Sequence, residues 1–212
     1  MRARWLCRTA VSWTRPWWRA PAAPWPWPTA APSRNSLGRG PGPAYAAAVS
    51  PITERLRDTT GRTVTLHEVT ADNWRTVADI APLDSQRAFA PGLAARYLLL
   101  SLLEDVWHSL AIHADDRVVG HVMWARDEDG SHWIGGLLID AREQGKGLAR
   151  TTMRTLLPWL AAQPGHFTTR LSYAPENIAA AHLYTSLGFT PTGAEEDGEV
   201  VVELSPPSHP SL

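Results

Sequence analysis

"DAREQGKGLAR", residues 140–150, decides how this chain is read. Gly145 and Gly147 flank Lys146, the single lysine among twenty basic residues. "HWIGGLLID" (132–140) leads in, a continuous apolar run of the kind that forms a strand buried on both faces. "LARTTMRTLLPWLAAQ" (148–163) leads out, with Ala149, Met153, Leu156, Leu157 and Leu160 at the spacing of one buried helix face. Pro158 is expected to kink or shorten that helix. A glycine loop between strand and helix is suited to an anion. The first helical turn offers amides without intrahelical partners and a partial positive charge. Glycines remove the Cβ atoms that would block close approach.

Two common phosphate loops do not fit. A Walker A loop needs a glycine where Asp140 stands and a serine or threonine after Lys146, where Gly147 stands. The dinucleotide pattern G-x-G-x-x-G needs a third glycine at Arg150.

Outward from the loop, the rest of the chain alternates strands and helices. "RTVTLHEV" reads as a strand, "TADNWRTVADI" as a short helix with a Thr or Asp N-cap, and "GLAARYLLLSLLED" as a second helix. "WHSLAIH" and "RVVGHVMWAR" are strands, and "DEDG" is a hairpin turn whose glycine takes positive φ. After the loop and its helix, "HFTTRLSY" is a strand and "ENIAAAHLYTSLG" a helix ended by Gly188. "FTPTG" and "EVVVEL" close the order β-α-α-β-β-β-α-β-α-β-β. That is an α/β (mixed α+β) architecture: a central mixed sheet of six to seven strands flanked by about four helices.

Gln144, Gly147 and Ala149 match the pattern Q/R-x-x-G-x-G/A, and "PENIAAAHLYTSLGF" follows at a suitable distance. On these motifs the chain resembles the GNAT superfamily of N-acetyltransferases over about residues 62–204. "LLIDAREQGKGLA", "LSYAPENIAAAHLYTSLGF" and "DSQRAFAP" are most similar to its bacterial spermine/spermidine (diamine) acetyltransferase branch. The resemblance implies a GNAT fold and an acetyl-CoA cosubstrate. Backbone amides of Gly145, Lys146, Gly147, Leu148, Ala149 and Arg150, with Gln144, would hold the coenzyme A diphosphate, Lys146 and Arg150 adding charge. Leu137, Leu138 and Ile139 would end a strand that splays from its neighbour and pairs with the pantetheine arm. The Ile139 N–H would polarise the thioester carbonyl. Asn177 and Tyr184, two turns or about 10 Å apart along a helix axis, would meet the same ligand. The asparagine would touch the cofactor arm, and the Tyr184 hydroxyl would protonate the leaving thiolate as general acid. The glutamate base of the eukaryotic polyamine branch aligns with Gly135 and is missing. Glu128, Asp129, His121 and His132 are the nearby candidates in its place.

The amine acceptor is expected to be a polyamine or small diamine. Asp84, Glu104 and Asp105 fall in the helical region that lines the acceptor groove of this fold, and "AEEDGE" (194–199) tips the last hairpin beside it. Asp84, Glu104 and Glu128 are the substrate-binding candidates. Residues 51–212 carry thirteen basic and twenty-one acidic groups, a balance of -8 that would steer cations. Alternatives remain open: an aminoglycoside, amino-acid or protein N-terminal acceptor, or a non-catalytic acyl-CoA-binding module.

Residues 1–50 differ in kind, with seven arginines, no acid, six of eleven tryptophans and eight of eighteen prolines. Prolines this dense forbid helix, and the composition is that of a disordered segment. Residues 1–60 are therefore expected to be an Arg/Trp/Pro-rich extension, 61–205 the acetyltransferase domain, and 206–212 an unstructured tail. An Arg/Trp arm also suits nucleic acid or anionic lipid, but no nucleic-acid partner is expected for the domain. One cysteine excludes an internal disulfide, and the sequence has no run of about eighteen apolar residues, the length needed to span a membrane. The expectation is a cytoplasmic enzyme with a small-molecule amine substrate, no membrane, no metal, and a homodimer admitted.

Overall fold

The computed structural model describes residues 52–104, 106–127 and 129–205. The Arg/Trp/Pro arm, Asp105, Glu128 and the tail 206–212 lie outside them.

Among the described residues the chain forms eight strands and four helices: β1 (Leu56–Arg57), β2 (Thr63–Glu68), α1 (Trp74–Ala78), a 3-10 turn (Asp84–Gln86), α2 (Ala95–Glu104), β3 (His108–Ala114), β4 (Arg117–Arg126), β5 (His132–Ile139), α3 (Leu148–Ala161), β6 (Thr169–Tyr173), α4 (Ile178–Ser186), β7 (Thr190–Glu196) and β8 (Glu199–Leu204). They form one sheet in the order β1-β2-β3-β4-β5-β6-β8-β7. Its one parallel pair is β5–β6, which needs the α3 crossover; its other pairs are antiparallel.

Two cores hold helices to the sheet. The larger joins Val64, Ile112, Trp124, Ile134 and Leu171 to Met153, Leu156, Trp159 and Leu160 of α3, with Tyr184 of α4 and its C-cap Leu187 packed against it. The smaller sets Ile80, Ala94 and Tyr97, from α2 and the segment leading to it, against Met123 and Leu138.

Three sequence expectations need correction, and one concerning α3 can be placed. The strand count rises by one because Leu56–Arg57 pairs with β2, so the packed domain begins before the boundary expected at 60/61. Asp58 there is buried at 6% exposure. Pro158 lies inside α3, which runs to Ala161, two residues short of the stretch read as helix. Trp159 and Leu160 beyond it are buried at 9% and 0%, and their packing offsets the hydrogen bond that proline cannot make. Helix α1 has Asn73 as its N-cap, without a side-chain cap bond. The Asn73 amide oxygen accepts from Thr70 N–H at 2.8 Å instead. Finally, β5 is not buried throughout: Gly135, Gly136 and Leu137 are only partly covered.

Candidate functional site

The partly covered stretch of β5 marks a split in the sheet. β5 and β6 pair only at His132–Thr169 and Trp133–Arg170, while β6 stays with β8 through Tyr173. The divergence has a local cause. Between His121–Leu138 and Met123–Gly135 the β4–β5 register shifts, with two residues of β5 bulged against one of β4. Gly136 sits in that bulge at φ +57, a conformation that suits glycine. Beyond it, Asp140 N–H donates to Val119 O at 2.9 Å. Antiparallel ladders alternate, so the adjacent Gly120–Ile139 pair turns its N–H and C=O groups outward. The N–H and C=O of Ile139 therefore face the split. The carbonyl is taken there by Gln144 Nε2 at 3.0 Å.

A cleft of about 360 Å³ opens beside the split. It is lined by Leu137, Leu138 and Ile139 of β5, by Gln144, Gly145, Gly147, Leu148, Ala149 and Arg150, and by Asn177, Leu183 and Tyr184. Gln86, the last residue of the 3-10 turn, and Phe89 just after it also line the cleft. Residues separated along the chain thus share one cavity. Lys146, alone among those expected to hold the cofactor, is not on it.

The two loop glycines serve different purposes. Gly145 is at φ +78, and a Cβ there would meet nothing within 4 Å. Its bare backbone faces open space in the cleft. Gly147 is the N-cap of α3 at φ +74, and a Cβ there would lie 2.8 Å from Thr59 Cγ2. Its bareness accommodates the protein. The first helical bond of α3 runs from Thr151 N–H to Gly147 O at 3.0 Å. The amides of Leu148, Ala149 and Arg150 therefore precede the helical ladder, at the end where the helix dipole is positive.

Lys146 points its ammonium to Glu143, 2.9 Å away, and to the Arg142 carbonyl at 3.2 Å. Glu143 also binds Arg62 at 2.8 Å, and Arg62 pairs with Asp58 at 2.9 Å. The Lys146 and Arg62 hydrogen bonds hold the Glu143 carboxyl below its usual range, against the opposing effect of burial. Thr59 N–H donates to Lys146 O at 3.1 Å. The turn 58–62 is thereby clamped behind the glycine loop, a support the sequence reading missed because no motif announces it. The Gln86–Gln144 amide pair, bonded both ways at 3.0 and 2.8 Å, is a second.

Asn177 caps α4, its side-chain oxygen accepting from Ala180 N–H at 3.2 Å. It stands just before the helix, and still shares the cleft with Tyr184. Tyr184 is packed by Tyr173 and Phe189, with ring centroids 5.8 and 5.9 Å away. Burial, then the negative charge of Glu199, pushes its phenol above the ordinary tyrosine range. The hydroxyl therefore stays protonated at neutral pH.

The candidate proton acceptors separate sharply. Asp129 is bound by Ser131 and, at 3.0 Å, by Arg170, contacts that hold its carboxyl low. His121 is fully buried; its Nδ1 lies 2.9 Å from Gly136 O and its Nε2 2.9 Å from Ser109 Oγ. A carbonyl only accepts, so Nδ1 carries the proton, and burial lowers the ring to about 4. His132 is buried against Trp124 and His166, and is likewise lowered to about 4, by burial and then by His166. Neither histidine lines the cleft. Asp84 is exposed and paired with Arg87 at 3.0 Å, off the lining. The Glu104 side chain, Asp105 and Glu128 lie outside the described residues. No group of three or more His, Cys, Asp or Glu able to hold a metal occurs among the described residues. No described helix is long and apolar enough to cross a membrane.

Comparison with known proteins gives a consistent setting. Residues 65–189 match the model of the acetyltransferase (GNAT) family. The spermine/spermidine N(1)-acetyltransferase of Bacillus subtilis is 27% identical over 152 residues, 66% of this chain and 96% of the relative. An aminoglycoside acetyltransferase, AAC(6')-Ib, solved with coenzyme A, superposes with a TM-score of 0.57 at 19% identity, covering 67% of this chain and 94% of that one. The spermidine N-acetyltransferase of Vibrio cholerae, solved with CoA and spermine, gives 0.53 at 18% identity, covering 66% and 92%.

Proposed function

This chain belongs to the GNAT family of acetyltransferases, and from that premise we propose that it transfers the acetyl group of acetyl-CoA to a primary amine of a polyamine or small diamine. The observation that carries the proposal is one cleft that joins the split edge of β5, the first-turn amides of α3 and Tyr184. The cleft fits the cosubstrate chemically. The amides of Leu148, Ala149 and Arg150 and the open backbone of Gly145 suit a diphosphate, and Leu137, Leu138 and Ile139 offer a strand edge to the pantetheine amides. The outward Ile139 N–H suits the thioester oxygen, where negative charge grows as the amine attacks. Tyr184 gives its proton to the departing sulfur. Gln144 acts through Ile139, holding the strand end by its carbonyl.

The acceptor reading is supported by the Bacillus relative, matched over nearly its whole length, and by the acidic balance of residues 51–212. The single cysteine requires no oxidising compartment, which fits a cytoplasmic enzyme. The test is CoA release from acetyl-CoA with a panel of spermidine, spermine, diaminobutane, an aminoglycoside, free amino acids and a peptide N-terminus. Fastest turnover on the aliphatic polyamines supports the proposal. Preference for another amine reassigns the acceptor. Tight acetyl-CoA binding without release on any amine would leave a non-catalytic acyl-CoA module.

A further inference from the structure

The segment 81–90, between α1 and α2, is tied to the loop after β5 at two points. Ala141 N–H donates to Ala81 O at 2.8 Å. Gln86 and Gln144, both half-buried, pair through their side-chain amides. Pro82, Gln86, Phe89 and Ala90 of that segment line the same cleft as Ile139 and Gln144. The amide pair is the middle of a longer chain of hydrogen bonds. Leu83 N–H donates to Gln86 Oε1 at 3.1 Å. Gln144 Nε2 donates to the same Oε1 at 2.8 Å and to Ile139 O at 3.0 Å. Gln86 Nε2 donates to Gln144 Oε1 at 3.0 Å. The two orientations of a glutamine amide have nearly the same shape, so only its partners choose between them. Both ends of this chain make the same choice. A backbone N–H only donates, so Leu83 requires the oxygen of Gln86. A carbonyl only accepts, so Ile139 requires the nitrogen of Gln144. Turning over Gln144 alone would set oxygen against oxygen at both Gln86 and Ile139. Turning over both would leave Leu83 N–H facing an NH2 group and Ile139 O facing an oxygen, each unpaired.

We infer that Gln86 is a positioning residue for acetyl transfer: it fixes the orientation of the Gln144 amide and, through it, the end of β5 that presents the Ile139 N–H. The inference rests on the acetyl-transfer reading and deepens it. Gln86 is the glutamine of "DSQRAFAP", a stretch outside the loop signature that contains Gln144. Its role follows from the split. β5 pairs with β6 only at His132 and Trp133, so at Ile139 no bond from β6 reaches the edge that faces the cleft. The Ile139 carbonyl takes its hydrogen bond from Gln144 instead. Gln144 stands in for the departed strand, and Gln86 sets which of its atoms does so. The N–H and C=O of one strand residue point to the same edge. A carbonyl held in the plane of the sheet therefore holds the Ile139 N–H at that edge too. Gln86 moves no proton and touches no reacting atom. It acts by geometry: a donor aimed at a developing oxyanion counts only within about 2.7–3.1 Å of it.

The test is a double-mutant cycle of Gln86→Leu and Gln144→Leu, read as kcat with saturating acetyl-CoA and the best amine. Gln86→Leu is expected to lower kcat about threefold to tenfold in the wild-type background, the usual worth of one net hydrogen bond. The same substitution should cost under about twofold once Gln144 is leucine, because the two act in series. Equal losses in the two backgrounds overturn the relay. Gln86→Glu separates orientation from mere contact. Its carboxylate still accepts from Leu83 N–H and Gln144 Nε2, so it should recover most of the kcat that Gln86→Leu loses. Repulsion of the cosubstrate phosphates would then appear in the KM for acetyl-CoA. A kcat as low as that of Gln86→Leu overturns the orienting role. Hydrogen exchange of the unliganded protein reads the anchor without turnover. Gln86→Leu should speed exchange at the Asp140 and Ala141 amides, which bond Val119 O and Ala81 O, by about threefold to tenfold, while the amides of β3 hold. Unchanged exchange at both positions overturns the inference. If the unaltered protein releases no CoA with any amine, the acetyl-transfer reading falls and the catalytic consequence with it. The exchange rates then decide the Gln86–Gln144 relay by themselves.

Discussion

Thr59 packs directly on Gly147: its Cγ2 lies 2.8 Å from the place a Cβ would occupy, and its amide donates to the neighbouring Lys146 carbonyl at 3.1 Å. The backbone of the glycine loop is thus pressed between the cleft and the turn 58–62. Gly147→Val is expected to damage the fold as well as cofactor binding. It clashes with Thr59, and the φ of +74 disfavours any side chain, roughly 1–2 kcal/mol for the backbone alone. Gly145→Ala carries the backbone cost without the clash. It should lower the melting temperature less and weaken acetyl-CoA binding through its exposed methyl. Thermal melts with calorimetric titration separate the two; equal melting temperatures would contradict the Thr59 contact. Removal of residues 1–61 should likewise destabilise the domain relative to removal of 1–51, because it takes away Asp58 and Thr59.

Tyr184→Phe keeps the ring that packs on Tyr173 and Phe189 and removes one oxygen. Steady-state turnover is expected to fall toward the lower end of the hundredfold to ten-thousandfold range typical of general acid–base groups, because a thiolate is already a tolerable leaving group. Acetyl-CoA affinity should hold. The phenol is raised above its ordinary value, so it stays protonated through neutral pH, and any alkaline fall in rate due to its ionisation belongs above about pH 10. A turnover loss below about threefold would make the tyrosine only a wall.

Glu143 joins Lys146, Arg62 and, at 3.8 Å, Arg117 behind the loop. Its folded-state pKa is lowered, as is that of Asp58. Both contributions are therefore complete above the ordinary carboxylate range and vanish as pH falls through the lowered values. Glu143→Gln should cost about 1.5–3 kcal/mol at neutral pH, the usual worth of hydrogen bonds to a charged group. It should also flatten the loss of stability below about pH 4. Urea melts across that interval are the measurement, and an unchanged acid limb would show that the cluster contributes little.

His132 is fully buried, and neither ring nitrogen has a hydrogen-bond partner among the described residues. Its folded-state value, about 4, lies below the ordinary 6.5. The stability tied to its neutral form is complete above about pH 6.5 and is lost as pH falls from there through about 4. His132→Leu removes a polar ring from apolar neighbours. It should raise stability at pH 5 relative to wild type more than at pH 8. The same difference at both pH values would exclude histidine protonation as the cause.

Much of this molecule is legible along the chain because the signals are local. The apolar period of 148–160 placed α3, positive φ at Gly130 and Gly188 matched turn and helix stop, and Gln144, Gly147 and Ala149 marked the loop by their spacing. Neighbours within one turn decide such features, and the sequence contains those neighbours. Other features required the assembled sheet. The bulge at Gly136 turns β5 away from β6, and so gives Ile139 its outward face. Lys146 looks like part of the loop's charge until Glu143 and, from far earlier in the chain, Arg62 are brought beneath it. Thr59 and Asp58 lie in a stretch read as extension and become structural because β1 adds to the sheet edge. Glu199 sat among six hairpin residues with nothing to distinguish it until the β6–β8 pairing brought Ser172 Oγ to its carboxylate. Local propensity specifies which segment is strand or helix. Long-range packing decides which side chains meet, because each such contact depends on register and crossover at once.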